Sequence, residues 1–427
     1  CGMLISYCKT VELIGEYDVA VLGGGPAGVC AAIEAARCGR RVLLAEATGM
    51  LGGMATAGLV GPFMTCYDRD GDEQIIKGLF DEIVGRMVEL SGALSPDKTD
   101  SPSRWTSFLK KYHRRVTPFD SFVLQLVLDR MAREAGVHTL LYTKYVDSIC
   151  MDGGIESIIL AVPEGLVAAR AEIYIDCTGN ADVAAASGVE TWIGGEDGAP
   201  PQPGTLFFEV DNVEDVRYTS RPQRPVKAYQ KPLAGSYKIN HDRVYGVDAT
   251  DARSLTEAHM KAREQILQSY RTLRSTPGFE NCSITQVAPV LGVRESRHIR
   301  GLYMLTVRDL GEGRIFEDAV ACCGYGMDVH SRDGQIKGGF HGEVAKVYTI
   351  PYRCMVPVGC SNLLVAGKTI CAESQAAGSF RIMPGCMALG QAAGAAAALA
   401  CETGVQPGQV DTGKLRALLK GHGAYII

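Results

Sequence analysis

Short apolar runs recur along this chain of 427 residues, and three of them break off in glycine. DVAVL, Asp18–Leu22, gives way to GGGPAG. The run within AEIYIDCTGNADVAAASG gives way to Thr178–Gly179, and the run within CSNLLVAGKTI to Gly367. Uninterrupted runs of this length predict buried strands. After the first, PAGVCAAIEAARCG carries alanine at helical spacing with Gly39 as its C-cap, and Arg41–Glu46 follows as a second apolar strand. Strand, helix, strand in ~30 residues is a βαβ unit, which requires a parallel pair and a right-handed crossover.

Elsewhere the pattern changes. IIKGLFDEIVGRMVEL is amphipathic with helical spacing, and Phe119–Ala135 reads as a long helix. VHTLLYTKYVDSICMDGGIESIIL reads as strands joined by a Gly-Gly hairpin turn. The basic stretch RWTSFLKKYHRR reads as a solvated face. Roughly Val189 to Val344 is strand- and loop-rich, with proline clusters at 200–203 and 222–225, and Met387–Ala400 is a helix of very small residues. Strand–glycine–helix units thus stand at both ends with different material between them.

The expected fold is α/β: a Rossmann-like domain, with a parallel sheet flanked by helices, and an inserted, strand-rich second domain. The nucleotide domain is expected from residues 1–64, 119–188 and 345–427. Residues 65–118 are expected as a helical and loop insertion on the substrate side, and 189–344 as a substrate or cap domain. The length calls for more than one core.

Composition narrows the function classes. Lys and Arg number 43 against 48 Asp and Glu, a net charge of −5, which gives no polyanion signature and argues against a nucleic-acid partner. The fifteen cysteines include no C-x-x-C pair and no paired spacing with histidine, so reduced thiols are expected and no metal site. The adjacent Cys322 and Cys323 read as two small buried residues rather than a redox pair. No run reaches the ~18 apolar residues that span a bilayer. GQAAGAAAALACETG is too small in side chain and too broken by glycine to be a membrane helix, so no membrane partner is expected. No signal peptide is visible. The expectation is a cytoplasmic protein whose N-terminus, at Cys1, is incomplete or processed.

The first glycine turn fits G-x-G-x-x-G as Gly23, Gly25 and Gly28. Gly23 permits the tight turn, Gly25 lets backbone approach a pyrophosphate, and Gly28 packs the helix on the strand. Glu46, ending the second strand, is placed for the diol of a ribose, and its charge disfavours a 2′-phosphate. NAD and FAD both use such a turn. LGGMATAG then supplies Gly52 and Gly53 for a second close backbone approach and the hydroxyl of Thr56, a loop that a simple NAD-dependent dehydrogenase does not need.

YIDCTGNADVA resembles the strand ending in Thr-Gly of two-dinucleotide-binding, glutathione reductase-like flavoproteins. LLVAGKTI and FRIMPGCMALGQAAGAAAA resemble their C-terminal segment. Together with LGVRESRHIRG at 291–301 and YTIPYRCMVP at 348–357, these motifs are similar to bacterial FAD-dependent oxidoreductases related to succinate dehydrogenase/fumarate reductase and p-hydroxybenzoate hydroxylase flavoproteins. The resemblance spans nearly the whole chain and implies FAD. It extends the implied cofactor contacts to Pro26, Ala27, Ala47, Met54, Ala55, Val146, Thr178, Gly179, Gly367, Pro384, Met387, Gly390 and Gln391. It also implies a helix N-terminus aimed at the isoalloxazine, where its dipole would stabilise a reduced anionic flavin. Departures stand out: Lys368 replaces the common arginine after the VAG strand, and no carboxylate is available at the ribityl contact. No flavin-linking histidine can be matched, which favours noncovalent FAD, and dicarboxylate reduction does not carry over.

The reacting end needs anion clamps and a proton carrier. Arg294 and Arg381 could clamp a carboxylate or an electron-rich oxygen, and His330 could be the base. Against this, RESR reads equally as an internal ion pair fixing a domain interface, and a lone histidine is more often structural. The resulting expectation is hydride transfer between a small organic substrate and flavin N5, by a dehydrogenase or oxidase. A homo-oligomer or an electron-accepting partner stays open. The alternatives are a structural FAD, an electron-transfer subunit acting with a partner, or a tRNA-modifying flavoprotein, which the net charge disfavours.

Overall fold

The computed structural model describes residues 5, 7–99, 105, 113–214, 226–333 and 340–427. The proline cluster at 222–225 and most of the basic stretch 104–115 lie outside the described residues, as does the side chain of His341.

The predicted βαβ unit forms from β1 (Glu12–Leu22), α1 (Pro26–Arg37) and β2 (Val42–Ala45). β1 and β2 pair in parallel, with Val19 opposite Val42 and Leu22 opposite Ala45. Pro26 stands in the first turn of α1, where its fixed φ suits the helix and its missing N–H costs no bond. The cap at the far end is Cys38, and Gly39 follows with φ +80.

β1 lies inside a seven-stranded sheet. β3 (His138–Leu140) extends it beyond β2 in parallel. On the other side β6 (Gly165–Asp176) runs parallel to β1. β6 is long enough to hold two further partners. Its first half pairs antiparallel with β5 (Gly154–Val162), itself joined to β4 (Lys144–Met151), and its last residues pair in parallel with Leu363–Val365. The β4–β5 turn has Asp152 at φ 51 and Gly153 at φ +78. Two left-handed residues make an Asp-Gly turn that twists with its strands, centred one residue before the expected Gly-Gly.

The helix Met383–Thr403 is longer than the expected Met387–Ala400 and is buried almost all round. It lies on α1. A Cβ at Gly390 or Gly394 would run into the carbonyl oxygens of Ala27 and Ala31, so the two helices meet backbone to backbone. Among the described residues it is the one helix long and apolar enough to cross a membrane, and 83% of its most apolar window is buried inside the protein.

A second core forms on an antiparallel sheet in which Phe208–Asp211 and Tyr237–Ile239 are central, with Ser283–Val287 and Ala228–Gln230 at the edges. The 23-residue helix Ala252–Arg274 covers it. This helix corrects the reading of 189–344 as strands and loops. Asp251 caps it by accepting from Ser254 N, and Ala258, Ala262, Ile266, Ser269 and Leu273 form its buried stripe. That stripe is mostly small residues in a polar run, which hides its period. Leu59, from the loop after Gly52–Gly53, joins this second core and ties the two regions together.

Candidate functional site

Leu22 ends β1, and the chain turns through Gly23–Gly25 into α1. The glycines of this turn divide by what surrounds them. Gly23 has φ +99, and a Cβ on it would strike the carbonyl of Cys177; one on Gly28 would strike the carbonyl of Gly23. The protein's own packing demands both. Gly25 differs. Its φ is an ordinary −70, and a Cβ there would find no atom of the chain within 4 Å.

Other glycine segments close around that open space. Gly52 N donates to Gly24 O at 2.8 Å, and a Cβ on Gly53 would lie 2.9 Å from Gly25 Cα. Thr178 and Gly179 leave β6 beside Gly23, and Gly367, at φ +96, ends the strand Leu363–Val365 against Ala27. The fit to a dinucleotide is direct: α1 presents its N-terminus, backbone lines the wall, and space lies over Gly25.

Glu46 is buried at the end of β2, its Oε2 accepting from Gly24 N and its Oε1 from Thr48 N, each at 2.7 Å. Each oxygen keeps a lone pair for a ribose hydroxyl. Ala47 follows in an exposed position. Thr143 N, at the head of β4, donates to Glu46 O, and Val146 is the unpaired residue of a bulge three residues on, half exposed. Met54 and Ala55 form the short helical turn after Gly53.

Three expected contacts turn inward instead. The Thr56 hydroxyl donates to Leu51 O at 2.6 Å and braces its own loop. The Thr178 hydroxyl donates to buried Asp176 at 2.7 Å. Gln391 spans three helices: its Nε2 donates to Glu34, and its Oε1 accepts from Leu79 N, the start of α2 (Leu79–Glu89). Gly390 beside it serves the backbone contact with Ala27, while Pro384 and Met387 are buried in the first turns of the same helix. Glu34 also meets His422 at 2.5 Å. With Cys38 they bring three metal-capable atoms within 4.8 Å, a grouping that this hydrogen bond accounts for.

The segment RESR divides between two tasks. Arg297 bonds Asn180 O and Asp182, tying the segment to the turn after β6. Glu295 is buried, where it accepts from Gln202 N and the Ser374 hydroxyl. Burial pushes its carboxyl up, but these bonds, His298 and Arg332 outweigh that and bring it down to about 2. Glu295 and Arg297 thus tie RESR to the segments around it.

Arg294 faces elsewhere. It lies half-buried and donates to Pro203 O at 2.7 Å and the Thr205 hydroxyl at 2.8 Å. Arg381 donates to Asp328 O at 2.7 Å and to Gln202, whose Oε1 also accepts from His330 N. His330 Nε2 is 3.5 Å from Asp328 Oδ2. Burial, then Arg294, lowers the His330 imidazole to about 3 against the pull of Asp328, so the ring is neutral. The structure thus gathers Arg294, Arg381 and His330 into one cluster. Sequence reasoning missed Arg243, which shares the Thr205 hydroxyl and Asn240 with Arg294. Lys368 links this cluster to the glycine segments: it follows Gly367 and its Nζ donates to Val293 O. Burial, then Arg381, lowers its ammonium to about 8.

Cys322 and Cys323 are both buried. Burial pushes Cys322 up to about 12 and raises Cys323, which leaves the thiolate inaccessible.

Comparison with known proteins gives a family. A model described as FAD dependent oxidoreductase matches residues 18–419. No curated protein matches. Similar solved structures include a geranylgeranyl bacteriochlorophyll reductase-like protein from Thermoplasma acidophilum. It is 14% identical, with 97% of this chain and 85% of that one covered and a TM-score of 0.49. A flavin-dependent brominase, Bmp2, is 13% identical over 95% and 82%, with a TM-score of 0.47. The p-nitrophenol 4-monooxygenase of Pseudomonas putida is 11% identical over 96% and 80%, with a TM-score of 0.48. Likeness at this level says nothing of substrate. The family match, over nearly the whole chain, places this protein among the FAD dependent oxidoreductases, with FAD as its cofactor.

Proposed function

We propose that this protein is an FAD-dependent dehydrogenase or oxidase of a small organic substrate, with the FAD held noncovalently. The observation that carries the reading is the open space over Gly25, walled by glycines whose own side-chain hydrogens the fold requires. The residues that would hold FAD are Gly25 and Gly53 at the pyrophosphate, the α1 N-terminus behind them, and Glu46 at the ribose. When bound, FAD supplies the two-electron step, exchanging a hydride at N5 with a substrate carbon.

The chain's own groups do the rest. Arg381 precedes the helix Met383–Thr403 and orients an electron-rich group of the substrate. His330 turns Nε2 to Asp328, which leaves Nδ1 to accept the proton that a hydroxyl or amine loses as its carbon is oxidised. An imidazole at about 3 is a weak base alone, and an anion bound beside it would raise its affinity for a proton.

The test is anaerobic reduction. Purified protein with bound FAD is mixed with a panel of hydroxy acids, amino acids, alcohols and amines, and bleaching of the flavin band is followed. Bleaching by one class, lost in Arg381→Met, is the expected result. Bleaching by no class, together with FAD that dithionite reduces normally, would contradict the reading.

A further inference from the structure

Arg243 and Arg294 come from different parts of the second domain and end on the same two neutral groups. Arg294 Nη1 lies 2.8 Å and Arg243 Nη1 3.0 Å from the Thr205 hydroxyl. Asn240 Oδ1 accepts from both, at 3.0 Å from Arg243 and 3.5 Å from Arg294. Their other partners are backbone carbonyls: Pro203 for Arg294, His241 and Asp242 for Arg243. Among the described residues, neither has a carboxylate within ion-pair distance.

Two guanidinium groups side by side with no carboxylate in ion-pair contact repel each other, and both stay charged at any ordinary pH. Burial lowers both groups, and for Arg294 the charges of Arg243 and Arg381 lower it further. Asp328 acts on both and Asp242 on Arg243, and Asp328 also serves His330 and Arg381. The same cluster holds two more donors short of acceptors: Arg381 Nε and Gln202 Nε2 are buried and make no hydrogen bond. Arg243 and Arg294 each keep part of their surface exposed to solvent. Excess positive charge and unfilled donors ask for an anion rich in acceptors.

We propose that Arg243 and Arg294 form the seat for the carboxylate of a small organic acid. That this acid is the redox substrate rests on the flavin reading above; the seat itself stands on the arginine geometry. The paired forks suit a planar two-oxygen anion. The unfilled donors of Gln202 and Arg381 continue the cluster to His330.

The test is thermal melting of the full chain at constant ionic strength. Two carboxylates, acetate and benzoate, are compared with their neutral isosteres, acetamide and benzamide. At least one carboxylate is expected to raise the melting temperature with saturation while its amide does not. Arg243→Met and Arg294→Met should each raise the half-saturating concentration about 10- to 100-fold, the range for one charge-assisted hydrogen bond. Arg308→Met, which removes an exposed partner of Glu312, should leave it unchanged. Equal shifts from acid and amide, no shift from either acid, or unaltered half-saturation in both arginine variants would overturn the proposal. If a methionine variant fails to fold, Arg243→Lys and the wild-type acid-against-amide comparison still decide. Flavin content is read separately by absorption, so loss of the FAD reading and loss of the carboxylate seat are distinguishable outcomes.

Discussion

The glycine turn at 23–28 and the arginine cluster at 243, 294 and 381 are linked through Lys368, yet they are built on opposite terms. The turn is backbone and space, fixed by the strand and helix it joins and by the glycine segments that close on it. The cluster is charge, drawn from a loop after the strand Tyr237–Ile239, from the RESR segment and from the residue before a C-terminal helix. The first region suits the FAD that the family's description names. The second is assembled from segments far apart in the chain.

Substitutions can break this contrast, and the largest effect is expected away from both ligands. Gly390→Val drives a side chain into the Ala27 carbonyl where two helices meet backbone to backbone. It should cost about 3 kcal/mol or more, read by denaturant unfolding, or prevent folding. A variant that unfolds like wild type would mean that the helix pair is looser than described.

A smaller effect lies in the brace between the regions. Glu295 is held down to about 2, so its ionised form favours the folded state. Its contribution is present above the ordinary carboxylate value and is lost as pH falls from about 4 toward 2. Glu295→Gln should lower stability at pH 7 by on the order of 3 kcal/mol and flatten the acid limb of the stability curve. An unchanged acid limb would remove Glu295 from the brace.

The smallest effect is spectroscopic. His330, lowered to about 3 by burial and Arg294, should show no ring titration by NMR between pH 5 and 8. Neutral when folded but protonated when unfolded, it disfavours the fold progressively as pH falls below about 6.5. Titration near 6.5 would place His330 outside the arginine field.

What could be read from the chain follows the same division. GGGPAG, LGGMATAG and the Thr-Gly turn were legible because each is contiguous and stands at the end of an apolar strand or in the loop after one. Side-chain direction was not: Thr56, Thr178 and Gln391 stand within the right motifs but bond to their own scaffold. The helix Ala252–Arg274 escaped notice because its buried stripe is mostly alanine and serine among charged residues. Arg243 lies in a loop with nothing around it to mark a site, and only the fold sets it beside Arg294.

The most direct measurement is FAD content in wild type and Gly25→Val, purified in parallel and checked for fold by circular dichroism. A valine at Gly25 meets no protein atom within 4 Å at its Cβ, so the fold should survive while the space for the cofactor is filled. The account predicts folded wild type with about one FAD per chain and folded, colourless Gly25→Val that does not take up added FAD. Full FAD in the valine variant, or folded wild type that refuses FAD, would contradict it.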